Sequence, residues 1–262
     1  MVFVLCALAA ARGVGADGPT PAGPGMVIVP AGSFVPLYGS RDRPVRVDAF
    51  ALDVHPVTNG EFFRFVAAEP RWQRDRVPPL FADEDYLRHW EGPLRLGADS
   101  SARSPVTHVS WFAARAYCAS AGKRLPTLDE WEFAARASED RPDAAGDPDF
   151  ERRILEWYGR PTRLPLPEVG DTFRNTFGVW DLHGLVWEWV ADFNGVMMTG
   201  ESRKDRGGLD PQLFCAAGSL GSVDPGDYAA FMRYAMRASL RARYTVRNLG
   251  FRCARSLGEE GA

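Results

Sequence analysis

Lysine is almost missing from this 262-residue chain: Lys123 and Lys204 stand against 29 arginines. So general a skew fits a GC-rich coding sequence better than ligand binding, and no single arginine is read from it as functional. No apolar run is long enough to span a membrane. The four histidines, His55, His89, His108 and His183, share no metal-ligand spacing. There is no Ser-His-Asp order, nucleophile elbow or phosphate loop, so ordinary hydrolase and kinase readings have no support. Internal repeats and coiled-coil heptads are absent as well. The net charge of -3 argues against a nucleic-acid partner, although seven arginines and no acid fall between Arg233 and Arg255. What is present is globular: 45% apolar residues, eight tryptophans and sixteen phenylalanines exclude disorder for most of the chain. Its 26 glycines and 20 prolines interrupt it too often for long helices, which predicts a loop-rich fold.

An apolar run from Val2 to Ala11, then Arg12 and the small residues Val14-Gly15-Ala16, reads as a signal peptide over residues 1–16, which predicts a periplasmic or secreted protein. Cys6 follows Leu5, not the small residue that a lipoprotein cleavage site needs. Cleavage after Ala16 would leave Cys118, Cys215 and Cys253, an odd number whose simplest arithmetic is one pair and one free thiol. Residues 17–25 read as a Pro/Gly linker, 26–256 as one domain and 257–262 as a tail. Met26 to Pro30 and Val45 to Leu52 alternate as an opening hairpin. Thr58 with Glu61, and Thr127 with Glu130, have capping-box spacing; with Ser110 as a further cap they predict helices from Thr58, over Trp111–Ala121 and over Leu128–Ala137. Glu69 to Ser104 shows neither helical nor strand period and reads as an irregular excursion at a rim. Beyond Asp140 turns are expected until Phe177, then short strands at Val186–Val190 and Leu249–Cys253.

In order along the chain stand Met26-Val-Ile-Val-Pro-Ala-Gly-Ser-Phe, Val57-Thr-Asn, Pro105-Val-Thr-His-Val-Ser-Trp, Tyr117-Cys, Gly122-Lys-Arg-Leu-Pro-Thr, Glu130-Trp-Glu-Phe, Phe177-Gly, Trp187-Glu-Trp and Gly250-Phe-Arg-Cys. Together they resemble the formylglycine-generating enzyme, or sulfatase-modifying factor, family. The resemblance implies an α+β, C-type-lectin-like single domain with much irregular structure. It also implies oxidation of a client cysteine by oxygen and copper held between two cysteines, since soft thiolates suit cuprous copper. Counting from Ala217-Gly-Ser219 and Ala235-Met-Arg237 places those cysteines near Ser222 and Ala229, where neither is found. The family's copper-dithiolate route is therefore closed. A copper site rebuilt from Cys215 with Met232 or Met236 competes with the plainer reading of all three as core residues. Cys215, Ser219, Ser222 and Arg237, the last matching an arginine beside the family's client groove, are the groove candidates.

The resemblance further implies a Cys118–Cys253 disulfide, worth about 4 to 5 kcal/mol in the chain-entropy model. It implies calcium held by the Asp181 and Glu188 carboxylates with the Gly184 and Val186 carbonyls, an all-oxygen shell. The alternative is that Trp187 and Trp189 are core and Glu188 pairs with an arginine. A second family calcium site is lost where Arg160 follows Tyr158-Gly159. The expected activity is maturation or binding of an exported client, with a resemblance around Phe214–Gly221 and Tyr234–Tyr244 to a subgroup associated with nitrite reductase. A displaced-site oxidase and a lectin-like binding module are the rivals.

Overall fold

Two positive-φ glycines flanking Pro24 turn the chain between Pro21–Gly23 (β1) and Met26–Val29 (β2), which pair antiparallel. The structure, a computed structural model, describes residues 19–37, 44–193 and 228–258. The stretch expected as a linker thus contributes a strand, because β2 offers it a free edge. Pro30 ends β2: it has no N–H for a ladder. The chain then forms Gly32–Phe34 (β3), paired with Val45–Val47 (β4), before Phe50–Asp53 (β5) returns along β2. The single second strand expected over Val45–Leu52 is therefore two strands serving two sheets. The larger sheet runs β1-β2-β5-β8, all antiparallel, with Ala254–Ser256 as β8.

Both capping boxes form. Thr58 and Glu61 close the start of Asn59–Ala68 (α1), and Thr127 and Glu130 close Leu128–Ala135 (α3); between them Ser110 caps Trp111–Ser120 (α2). Pro148–Tyr158 (α4) corrects the expectation of turns after Asp140. Its signals were local: Asp147 caps two backbone N–H groups, Pro148 sits at the first turn, and Phe150 and Ile154 bury one face. Tyr228–Ala238 (α5) is helical too, and Ala229, Ala230, Arg233, Tyr234 and Arg237 are its buried residues.

Phe62, Tyr117 and Phe251 meet with centroids 5.4 to 6.0 Å apart beside the Cys118–Cys253 disulfide, which ties α2 to the segment before β8. The disulfide is as expected. The 69–104 excursion is irregular as read, with one short 3₁₀ turn at Pro70–Trp72, but it sends Tyr86, Leu87 and Trp90 into the core. Last, Trp187–Trp189 (β6) runs parallel to Leu249–Phe251 (β7), setting Glu188 opposite Gly250. A Cβ on Gly250 would lie 2.7 Å from the Val106 carbonyl, so only glycine lets the two backbones approach. No described helix is long and apolar enough to cross a membrane.

Candidate functional site

The residues expected to hold calcium come together only in part. Asp181, fully buried at φ 60°, accepts hydrogen bonds from the Gly170 N–H (2.5 Å), the Thr172 N–H (3.1 Å) and the Thr172 hydroxyl (2.9 Å), with His55 Nδ1 at 3.6 Å. Burial works to raise its carboxyl, but these hydrogen bonds bring it below the usual range. Gly184 is at φ 95°, and a Cβ there would meet Thr172 at 2.9 Å, so the turn after Asp181 requires glycine. Val186 is buried just before β6. Glu188 has different company: Arg252 donates to both its oxygens at 2.8 to 3.1 Å, and Trp131 Nε1 donates at 2.7 Å. Both partners of this pair are inaccessible to solvent. As arranged, the four residues do not fit a calcium shell. Asp181 and Glu188 share no partner, and a cation at Glu188 would have to displace the guanidinium that already neutralises it. Among the described residues no three His, Cys, Asp or Glu side chains cluster as a metal site.

One position along α3 from Trp131 lies another buried carboxylate, Glu132. Arg233 reaches it at 2.8 Å and Arg237 at 2.5 Å, and the Arg237 guanidinium lies 4.3 Å from the Trp131 ring centroid. Burial alone would raise the Glu132 carboxyl; the two guanidinium charges outweigh it and hold it down to about 2. Arg237 was expected beside a client groove. It is 2% exposed and bound to Glu132, so it acts in the interior rather than on a client surface. The Glu132–Arg233 pair, with Tyr234 and Ala229, walls a cavity of about 400 Å3.

A separate groove of about 410 Å3 opens between α4 and β6. Trp187 stacks on Tyr158 (centroids 4.7 Å, planes 18° apart), and Trp157 leans on both at 5.1 and 5.2 Å, forming an aromatic wall. Asn248, Leu185, Gly184 and His183 continue the lining, and Arg153, Arg160 and Arg163 are each paired with a carboxylate of the same groove, Glu139, Glu156 and Asp171, so the rim charges balance. His183 bonds the Ala135 carbonyl through Nε2 at 2.9 Å, and burial pushes its imidazole down to about 3, so the ring is neutral at physiological pH. Its Nε2 carries the proton and Nδ1 has no hydrogen-bond partner among the described residues. Half-buried stacked aromatics with a few polar groups suit an apolar or planar ligand segment held by contact area.

Cys215, Ser219 and Ser222 lie outside the described residues. Ala229, the second position counted for copper, is 2% exposed at the start of α5 and has no ligand atom. Met232 and Met236 share a half-buried face of that helix, and Met236 packs on the core. Sequence reasoning missed Trp157, Tyr158 and Asn248 as groove residues, and Glu132 as the partner of two arginines. The first two follow from α4, which the Asp147-Pro148 start would have revealed. Asn248 and Glu132 carry no local signal, because their roles depend on strand pairing and on contacts over a hundred residues apart.

The sulfatase-modifying factor enzyme 1-like domain family (FGE-sulfatase) matches residues 13–257. The inactive C-alpha-formylglycine-generating enzyme 2 of Mus musculus is 32% identical, covering 90% of this chain and 87% of its own. The formylglycine-generating enzyme of Streptomyces coelicolor is also 32% identical, over 86% and 82%. The structure of PvdO from Pseudomonas aeruginosa superposes with a TM-score of 0.50 at 24% identity, covering 88% of this chain and 94% of that one, a likeness of fold. With a family match over nearly the whole length and relatives above 30% identity, the chain belongs to the formylglycine-generating enzyme, or sulfatase-modifying factor, family.

Proposed function

We propose that this chain is an exported family member without copper-dithiolate oxidase chemistry, which binds a segment of another exported protein in the Trp187 groove and serves its maturation. Thiol arithmetic carries the reading. The sequence has four cysteines, and Cys118 and Cys253 are joined to each other. Only Cys215 and Cys6 remain, and Cys6 lies in the stretch read as a signal peptide. A protein processed there has one free thiol, whereas the family's route needs two. The groove supports the binding half of the proposal: its aromatic wall, neutral buried imidazole and charge-balanced rim fit a polypeptide segment. Similar identity to a relative named inactive and to one named formylglycine-generating leaves this thiol count as the discriminating feature.

The test is direct. Purified protein given oxygen, a reductant, cuprous copper and a sulfatase-type Cys-x-Pro-x-Arg peptide is expected to yield no formylglycine, read as the mass change at the peptide cysteine. Turnover in the parent chain that vanishes in Cys215→Ser would establish a rebuilt site and overturn the proposal in favour of an oxidase.

A further inference from the structure

On the side of α2 away from the disulfide, the helix leaves a stripe of Phe112, Arg115, Ala116 and Ala119 at the spacing of one helical face. The 69–104 excursion does not cover it. With Trp72, Pro78 and Phe81 from that excursion, the stripe lines a groove of about 380 Å3. Phe81 sits 5.3 Å from Phe112 and 6.1 Å from Trp72, so the floor is a continuous aromatic row. Ala116 and Ala119 lower the wall on the helix side, and the next residue along the chain from Phe81, Leu80, is 73% exposed.

Trp72 is 8% exposed and belongs to the buried part of the floor. At the rim, Arg115 is exposed, its guanidinium 5.4 Å from the Trp111 ring centroid and with no carboxylate in ion-pair range among the described residues, and Arg71 lies 5.7 Å from the Trp72 ring centroid and pairs with Glu69 at 3.6 Å. Two guanidinium groups against one carboxylate leave the rim net positive. An occupant suited to it brings apolar side chains for the floor and negative charge for the arginines.

We propose that this groove docks a partner polypeptide through an aromatic or aliphatic side chain flanked by Asp or Glu. The groove lies along the surface beside a helix, a shape that fits an extended or helical segment laid on it. It shares no lining residue with the Trp187 groove, so the two contacts are separable.

The experiment uses the full chain and a panel of fluorescein-labelled decapeptides with a central Leu-Phe, flanked by four Asp and Glu, by four Lys, or by four Ser, read by anisotropy at two salt concentrations. The acidic set is expected to bind at least tenfold more tightly than the lysine and serine sets, with the advantage shrinking in high salt. Arg115→Glu, at an exposed position that leaves the core intact, should weaken the acidic set at least tenfold. Trp187→Ala should change nothing, and a loss there would assign the binding to the other groove. Equal binding of acidic and basic sets, indifference to Arg115→Glu, or no acidic binding at millimolar peptide would each overturn the proposal. So would dodecanoate binding, lost in Arg115→Glu, without any peptide binding: the groove would then be a lipid-anion site.

Discussion

Two of the buried carboxylates, Glu188 and Glu132, are satisfied in opposite ways on either side of Trp131, whose Nε1 donates to Glu188 and whose ring carries the Arg237 guanidinium paired with Glu132. Glu188 has a single guanidinium whose remaining N–H groups go to the Asp53, Val54 and Trp180 carbonyls. That pair is electrically closed and clamps β6, the end of β5 and the loop before Asp181 into one unit. Glu132 has two guanidiniums, so its cluster keeps a formal surplus of one positive charge, and it faces a cavity. The lesson is that burial by itself does not tell a structural ion pair from an adjustable one. The count of charges and the space beside them do.

Breaking one partner in each cluster gives the largest contrast. Arg252→Met should cost about 3 to 5 kcal/mol in urea denaturation, because Glu188 is left charged in the interior. Arg237→Met should cost only about 1.5 kcal/mol, since Arg233 still holds Glu132 and the loss is one charged hydrogen bond plus the contact with Trp131. Equal costs would dissolve the distinction. Combining Arg252→Met with Glu188→Leu should recover much of the single-mutant loss.

Acid sharpens the comparison at a smaller scale. His89 and His183 are both pushed down to about 3 by burial, with neighbouring positive charge adding to it. Unfolded, each would bind a proton near pH 6.5, so lowering the pH favours the unfolded chain. Their contribution is complete above pH 6.5 and is lost as pH falls toward 3. Between pH 6.5 and 5.5 the two together should remove about 2 kcal/mol, measurable as a lower urea midpoint. Glu132 acts in the same direction further down, from its ordinary carboxyl range to about 2. A midpoint that stayed flat to pH 5 would show that these imidazoles take up protons in the folded state.

The smallest expected effect tests Glu188 directly. With Arg252 in place, millimolar calcium or a chelator should leave the melting temperature unchanged. A calcium-dependent rise that disappears in Asp181→Ala would show that a cation, rather than Arg252, is the working partner of this loop.

Local chemistry made much of the scaffold legible. Thr58, Ser110 and Thr127 start helices because their oxygens meet N–H groups within three residues, information that lies wholly in the sequence nearby. The family and the Cys118–Cys253 bond were legible from ordered motifs spread along the chain. Other features were not. Strand β1 exists because β2 presents an edge, and the split of Val45–Leu52 depends on which strand each half meets. No sequence window reports a pairing partner.

The sequence by itself determined the class of fold, the helix starts and the small number of cysteines, since each depends on residue identity or on neighbours a few positions away. Only the tertiary structure decided that Glu188 belongs to Arg252, that two arginines share Glu132 and that Trp157, Tyr158 and Trp187 form one wall. Those choices follow from charge neutralisation and packing between residues 29 to 105 positions apart, where the nearest opposite charge in space has no mark in the chain.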